Sequence, residues 1–390
     1  MKRACLLFCA VIVSMWFPAC GGVNTGSSNS NGSPTPGASN PGPASGGSGS
    51  STAALAYVSG GNNNFYGIRV DSTSAVSTVT GSPYSLPAPA MSFAATGNLL
   101  FVSSPSAPGA SSSGLVTSYR ADANGALTQL ASNAVASDGG ITVTLDASGK
   151  FLYGTASATP AGQSSSSPAI FGFSVDQNSG TLSALTGSPW ILQSGMGPAM
   201  KPLVTPNGSW VCITMELART NEGAQCIPRH SDGTLDPNNF VQPAASTTGI
   251  PGVAATADGT HLVYTNGSQN QVISTLISST SNGVAASSGG SVANGVAVNP
   301  AGSWGAVTNL QSNNLEIFEI GAGGGSLAPM TPVSTTVSPD QVAFSRSGDY
   351  IFVTGSGGTV VFSFNRSNGL LTPLNASSPA PGAGGPAGTM

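Results

Sequence analysis

Charge is what this 390-residue chain has least of: ten Lys and Arg against 14 Asp and Glu, 6 % of positions. Ordinary soluble domains carry roughly 25 %. With a net charge of −4, the chain lacks the clustered cations that phosphate neutralisation needs, which excludes nucleic acid as a partner. A coiled coil or charged helical bundle is excluded for want of Glu and Lys, and no stretch carries a 3.6-residue apolar period. Histidine occurs twice and no Cys-x-x-Cys is present, so no metal site is expected. Aromatics are only 6 %, too few for a stacking platform on polysaccharide. What the chain has instead is glycine, 53 residues, with 28 prolines and 39 % hydrophobic residues. That apolar content argues against charge-driven disorder.

The N-terminus has the layout of an export signal. Lys2 and Arg3 precede an apolar run from Ala4 to Phe17, followed by Pro18-Ala19-Cys20-Gly21. The run is shorter than the ~20 residues of a membrane span, and small Ala19 suits a cleavage site. Cys20 directly after it resembles a bacterial lipobox, in which that Cys is lipid-modified; Phe17 and Pro18 depart from the motif, and ordinary secretion is the alternative. Residues 20–52 are rich in Gly, Ser, Pro and Asn, a flexible tether with a typical reach of roughly 30 Å. Loss of residues 1–19 removes Lys2 and Arg3 and moves the net charge from −4 to −6. The expected location is the cell envelope, as a membrane-anchored lipoprotein.

Five cysteines divide accordingly. Cys5 and Cys9 leave with the signal, Cys20 takes the lipid, and Cys212 and Cys226 remain. Their 14-residue spacing suits facing positions on two strands of a hairpin, and export permits a disulfide. Two packed thiols are the other reading.

Residues 53–390 repeat. A turn followed by an apolar strand recurs, as in Leu145-Asp146-Ala147-Ser148-Gly149-Lys150-Phe151-Leu152-Tyr153, with turn glycines at 97, 149, 208, 259, 302 and 348. A second pattern joins an alternating strand to a Gly turn and a Leu or Val, as in Phe171-Gly172-Phe173-Ser174-Val175-Asp176 running to Gly180-Thr181-Leu182. The first pattern occurs six times and the second seven. Alternation marks strands with one buried face, and a repeat of about 45–55 residues with four short strands is a propeller blade. The mismatch predicts an all-β, seven-bladed propeller of four-stranded blades. In it, the C-terminal Gly385-Pro386-Ala387-Gly388-Thr389-Met390 supplies the innermost strand beside Leu55 to Val58 and closes the ring.

The Asp-x-Ser-Gly-x-Phe-Leu-Tyr turn, the Phe-x-Val-Asp-x-x-x-Gly-x-Leu hairpin and the trailing Gly81-Ser82-Pro83-Tyr84 and Gly187-Ser188-Pro189-Trp190 resemble the seven-bladed lactonase-type propeller family. That family includes the propeller form of 6-phosphogluconolactonase. The resemblance implies a small lactone or sugar-like ligand, with no cofactor; a monomer is expected, and the N-terminal motif implies membrane contact through the lipid anchor alone. The family's Glu matches Glu216 in Met215-Glu216-Leu217. Its Gly-Pro-Arg-His stands here as Gly197-Pro198-Ala199-Met200-Lys201, and its Arg after the fifth inner hairpin is absent from Thr265-Asn266-Gly267-Ser268. An exported protein also fits poorly with a phosphorylated substrate of cytoplasmic sugar metabolism.

Lactone opening needs a base for water and a group to hold the oxyanion. Glu216 is the candidate base and Lys201 the candidate anion-holder, in a segment that also holds Arg219, Glu222, Arg229, His230, Asp232 and Asp236. A solvated loop with local pairs such as Glu216 with Arg219 is the competing reading. Asp138 and Asp340 precede inner strands and, with Glu216 and Arg219, are candidate binding residues at a channel mouth; capping of loops is the alternative. Asp71, Asp122, Asp146, Asp176, Asp232, Asp258 and Asp349 lie at turns and read as turn-formers. No nucleophile elbow with a credible Asp and His order is present. A non-catalytic surface propeller that binds through its loops is the alternative class.

Overall fold

The six turn glycines all adopt positive φ, between +54° and +77°, the region that an L side chain resists. In five of these turns a Ser, Thr, Asp or Asn three residues ahead of the glycine accepts from the first N–H of the next strand. The bonds are Phe151 N to Asp146 Oδ1, 2.9 Å, Trp210 N to Thr205 Oγ1, 3.1 Å, and their counterparts at Thr256, Asn299 and Ser345. Each turn thus fixes both the reversal and the start of the following strand.

The computed structural model describes residues 52–61, 63–106, 113–159, 167–192, 199–215, 223–245, 250–279, 283–374 and 387–390. The signal and nearly all of the proposed tether, with Cys5, Cys9 and Cys20, lie outside them. The described strands form seven antiparallel sheets, each an ordered run of four with a short extra strand on three. They are the blades of a seven-bladed propeller. The innermost strands of blades 1 to 7 are Ala387–Thr389, Ser92–Thr96, Asp138–Leu145, Ala199–Val204, Val253–Ala255, Ala293–Val298 and Ser338–Phe344. Blade 1 takes its innermost strand from the C-terminus, with Ala56 opposite Thr389 and Val58 opposite Ala387, as the repeat count required.

Blades hold together at their seams. Among the described residues seven apolar clusters are present, one between each pair of consecutive blades, the blade 7–blade 1 seam included. Fully enclosed Phe101 and Phe352 illustrate the scale; burying one such side chain stabilises by about 1.5–3 kcal/mol. Polar ties add direction. Tyr57 donates to Gly125 O at 2.5 Å, Tyr153 to Gly233 O at 2.6 Å, and Trp304 Nε1 to Arg366 O at 2.9 Å, each reaching an outer turn of the next blade.

Blade 4 carries the disulfide. Cys212 faces Cys226 across the pair Trp210–Met215 and Gly223–Pro228, and their sulfurs are bonded. Closing a loop of this length stabilises by about 3 kcal/mol in the chain-entropy account.

Candidate functional site

Four inner strands are bulged at their first residues, that of blade 3 between Asp138 and Thr142 and three others around the polar residues below. Register shifts fall between Ala199 and Lys201, between Ala293 and Val296, and between Pro339 and Gln341. A bulge inserts an unpaired residue and re-aims the side chains around it. Here it gathers Lys201, Asn294, Asp340 and Gln341, all at most 5 % exposed.

Lys201 of blade 4 donates through Nζ to Pro251 O, just ahead of the blade 5 inner strand, and to Gln341 Oε1 of blade 7 at 3.5 Å. Gln341 Nε2 lies 3.4 Å from Asp340 Oδ1, which also accepts from Asn294 Nδ2 of blade 6. Side chains from blades 4, 6 and 7 thus form one polar collar. Burial pushes the Asp340 carboxyl up to about 6, against the opposing pull of the Lys201 charge and the donors Gln341 and Asn294. A carboxyl poised there changes protonation state close to neutral pH.

Below the collar the same strands turn apolar. Leu203, Ala254, Val296, Val342, Phe344 and Phe93 line the cavity between the inner strands. A belt of hydroxyls braces the collar from behind. Thr308 Oγ1 donates to Asp340 O at 2.9 Å and accepts from Gly295 N at 2.8 Å. Thr265 Oγ1 likewise donates to Asn294 O at 2.7 Å and accepts from Gly252 N at 2.9 Å.

The other sequence candidates divide. Asp138 is exposed at the start of the blade 3 inner strand and accepts from Thr159 Oγ1 at 2.7 Å, apart from the collar. Glu216 and Arg219 lie outside the described residues; the strand that leads to them ends at Met215, paired with Ala199. Asp71, Asp122, Asp176 and Asp232 accept turn N–H groups as expected. Asp146 has a further role that turn chemistry does not show. Arg229 Nη2 reaches its Oδ2 at 3.3 Å, while Nε donates to Tyr153 Oη at 2.9 Å and the guanidinium lies over the Phe151 ring. This ties blade 4 to blade 3. Asn294 and Gln341 were not among the sequence candidates, because uncharged residues escape a search by charge.

Residues 169–384 match the family model described as Lactonase, 7-bladed beta-propeller, more than half of the chain. The chain belongs to that family. No curated protein matches it. Among solved structures, this lactonase-family chain is similar to a putative 6-phosphogluconolactonase from Bacteroides fragilis, at 15 % identity and TM-score 0.63, covering 86 % of this chain and 98 % of that one. It is also similar to a periplasmic gluconolactonase from Pseudomonas aeruginosa, at 17 % identity and TM-score 0.65, covering 85 % and 97 %. A Lactobacillus plantarum protein gives 13 % identity and TM-score 0.66 over 86 % and 99 %. At these identities the likeness is one of fold.

Proposed function

We propose that this lactonase-family propeller hydrolyses a lactone at the collar end of its channel. The observation that carries the reading is the buried Asp340 carboxyl, poised at about 6, with the Lys201 ammonium acting on it from across the ring. Asp340 takes a proton from water as its oxygen bonds to the lactone carbonyl carbon. The carbonyl electron pair moves to oxygen, and Lys201 and Asn294 stabilise the charge that develops. The oxyanion then re-forms the carbonyl, the ring C–O bond breaks, and the departing alkoxide takes a proton, giving a hydroxy acid. Asp340 returns to that alkoxide the proton it took, with Glu216, the base expected from the sequence, as a second carboxylate in the relay.

Measured on the full chain with a lactone panel, kcat/KM should fall on the acid side with a midpoint near 6. Asp340→Asn and Glu216→Gln should each lower it by about 10²-fold or more. Rates equal to wild type in Asp340→Asn would remove Asp340 from catalysis. A second reading rests on the enclosure of Lys201, 1 % exposed: a collar that serves as the floor of a ligand-binding surface and performs no chemistry. No rate above buffer with any lactone would leave that reading standing. We also propose export and lipid anchoring through Cys20, supported by the Ala19-Cys20 junction and the uncharged tether; simple secretion remains the alternative.

A further inference from the structure

The channel below the collar is apolar along its length. On three inner strands a collar residue and a cavity residue stand two positions apart: Lys201 and Leu203, Asn294 and Val296, Asp340 and Val342. The cavity continues to Pro206, Ala257 and Pro300, each directly after a turn cap, Thr205, Thr256 or Asn299. It therefore runs from beneath the collar to the turn end of the ring, about three residues of strand or roughly 10 Å. Above it Lys201 of blade 4 meets Gln341 of blade 7, so the collar spans the channel and forms the polar head of an apolar well.

Two properties of the well select what fits. Among the described residues two polar side chains line it, Asn299 and Thr389. Asn299 Oδ1 accepts from Trp304 N at 3.0 Å and its Nδ2 is enclosed, while Thr389 Oγ1 donates to Phe344 O at 2.9 Å. A sugar ring drawn in would lose the water on its hydroxyls without gaining partners. The well is also narrow, with about 50 Å³ open to the centre of a water-sized sphere. An extended alkyl chain is thinner than a hydroxylated ring and needs no hydrogen bonds, and each methylene buried adds to the gain.

The geometry points to a substrate class: a lactone that carries an unbranched alkyl chain, its ring at the collar and its chain in the well toward Pro206, Ala257 and Pro300. This rests on the reading of the collar as the hydrolytic site. The well then holds the lactone carbonyl beneath Asp340 and Lys201 by gripping its tail. Sugar lactones, which carry hydroxyls along the carbon chain, are the class it rejects.

Background-corrected rates of the full chain with γ-butyrolactone, γ-hexalactone, γ-decalactone and glucono-δ-lactone test the class. For the alkyl series kcat/KM should rise by up to about fourfold per added methylene, through KM, until the chain fills the well. Glucono-δ-lactone should react no faster than γ-butyrolactone. Ala254→Leu narrows the well and should flatten the dependence on chain length; Ala297→Leu does the same from blade 6 if the first variant fails to fold. Calorimetry with 5-hexylpyrrolidin-2-one, the lactam counterpart of γ-decalactone, reads the well without turnover. Lactam binding that is lost in Ala254→Leu, with no lactone hydrolysed, would support the well and overturn the hydrolytic reading. A glucono-δ-lactone rate equal to or above that of γ-decalactone would overturn the alkyl class and leave hydrolysis at the collar standing. Rates independent of chain length, or no lactam binding, would overturn the well.

Discussion

At the scale of single residues, Lys201 and Asp340 are coupled, and their coupling has a sign. Burial raises the Asp340 carboxyl and Lys201 lowers it. Lys201→Met therefore moves Asp340 upward, and the acid limb of lactone hydrolysis should shift to a pH above 6. Stability responds in a definite window. Folded Asp340 holds its proton more tightly than the unfolded residue, whose ordinary value is 3.8. Unfolding then becomes easier as pH climbs from about 4 through the folded value, and the full contribution is present only below that window. In Lys201→Met the window extends higher, and a cost on the order of 3 kcal/mol at pH 8 follows from stranding one member of a buried pair. Urea midpoints at pH 5 and pH 8 measure it; a loss equal at both would show that Lys201 acts by packing alone.

Among elements, the second strands of blades 2, 3, 5 and 6 do more than pair. A Ser or Thr stands six residues beyond each turn glycine, at Ser103, Thr155, Thr214, Thr265, Thr308 and Thr354. Where the bonds are described, these hydroxyls grip the start of an inner strand. Ser103 bonds Ser92 at 2.6 Å and Thr155 bonds Thr142 at 2.6 Å, while Thr265 and Thr308 reach across to the next blade. Thr308→Val keeps the shape but strands Gly295 N and leaves Asp340 O with Asn294 Nδ2 as its donor, and should cost about 1–3 kcal/mol. The same change at exposed Thr78 should stay within about 0.5 kcal/mol. Urea denaturation of the two variants compares them directly; equal midpoints would remove the belt's structural role. This pattern was legible in the sequence, but a Thr in an apolar strand reads as an ordinary β-former. The turns were easier, because a glycine at positive φ has few substitutes. The collar was not legible. Lys201 and Gln341 are 140 residues apart, and their meeting depends on the number of blades and on three bulges that alternation does not announce. Arg229 shows the same limit: its charge was noticed, but its partner Asp146 lies 83 residues away and reads from sequence as a turn-former.

For the whole molecule, the opening scarcity of charge acquires a reason. Apolar seams and hydroxyl ties join the blades, and among the described residues the buried charges fall at few places: Asp146 with Arg229, the collar, and Glu316. The proposed anchoring belongs to this scale too. Cys20→Ser should shift the protein from membrane to soluble fractions, read by fractionation and immunoblot; unchanged membrane association would sink the lipobox reading. No helix among the described residues is long and apolar enough to cross a membrane.

One consequence follows from blade 1. Its inner pair joins Ala56 to Thr389, roughly 330 residues apart in the order in which the chain is made. Until Ala387–Thr389 have been made, that sheet lacks its channel-side strand. A product cut short before them keeps an open sheet edge at Ala56–Val58, the kind of feature on which proteases and aggregation act. Ring closure therefore waits on three residues, however early the rest of blade 1 has been made.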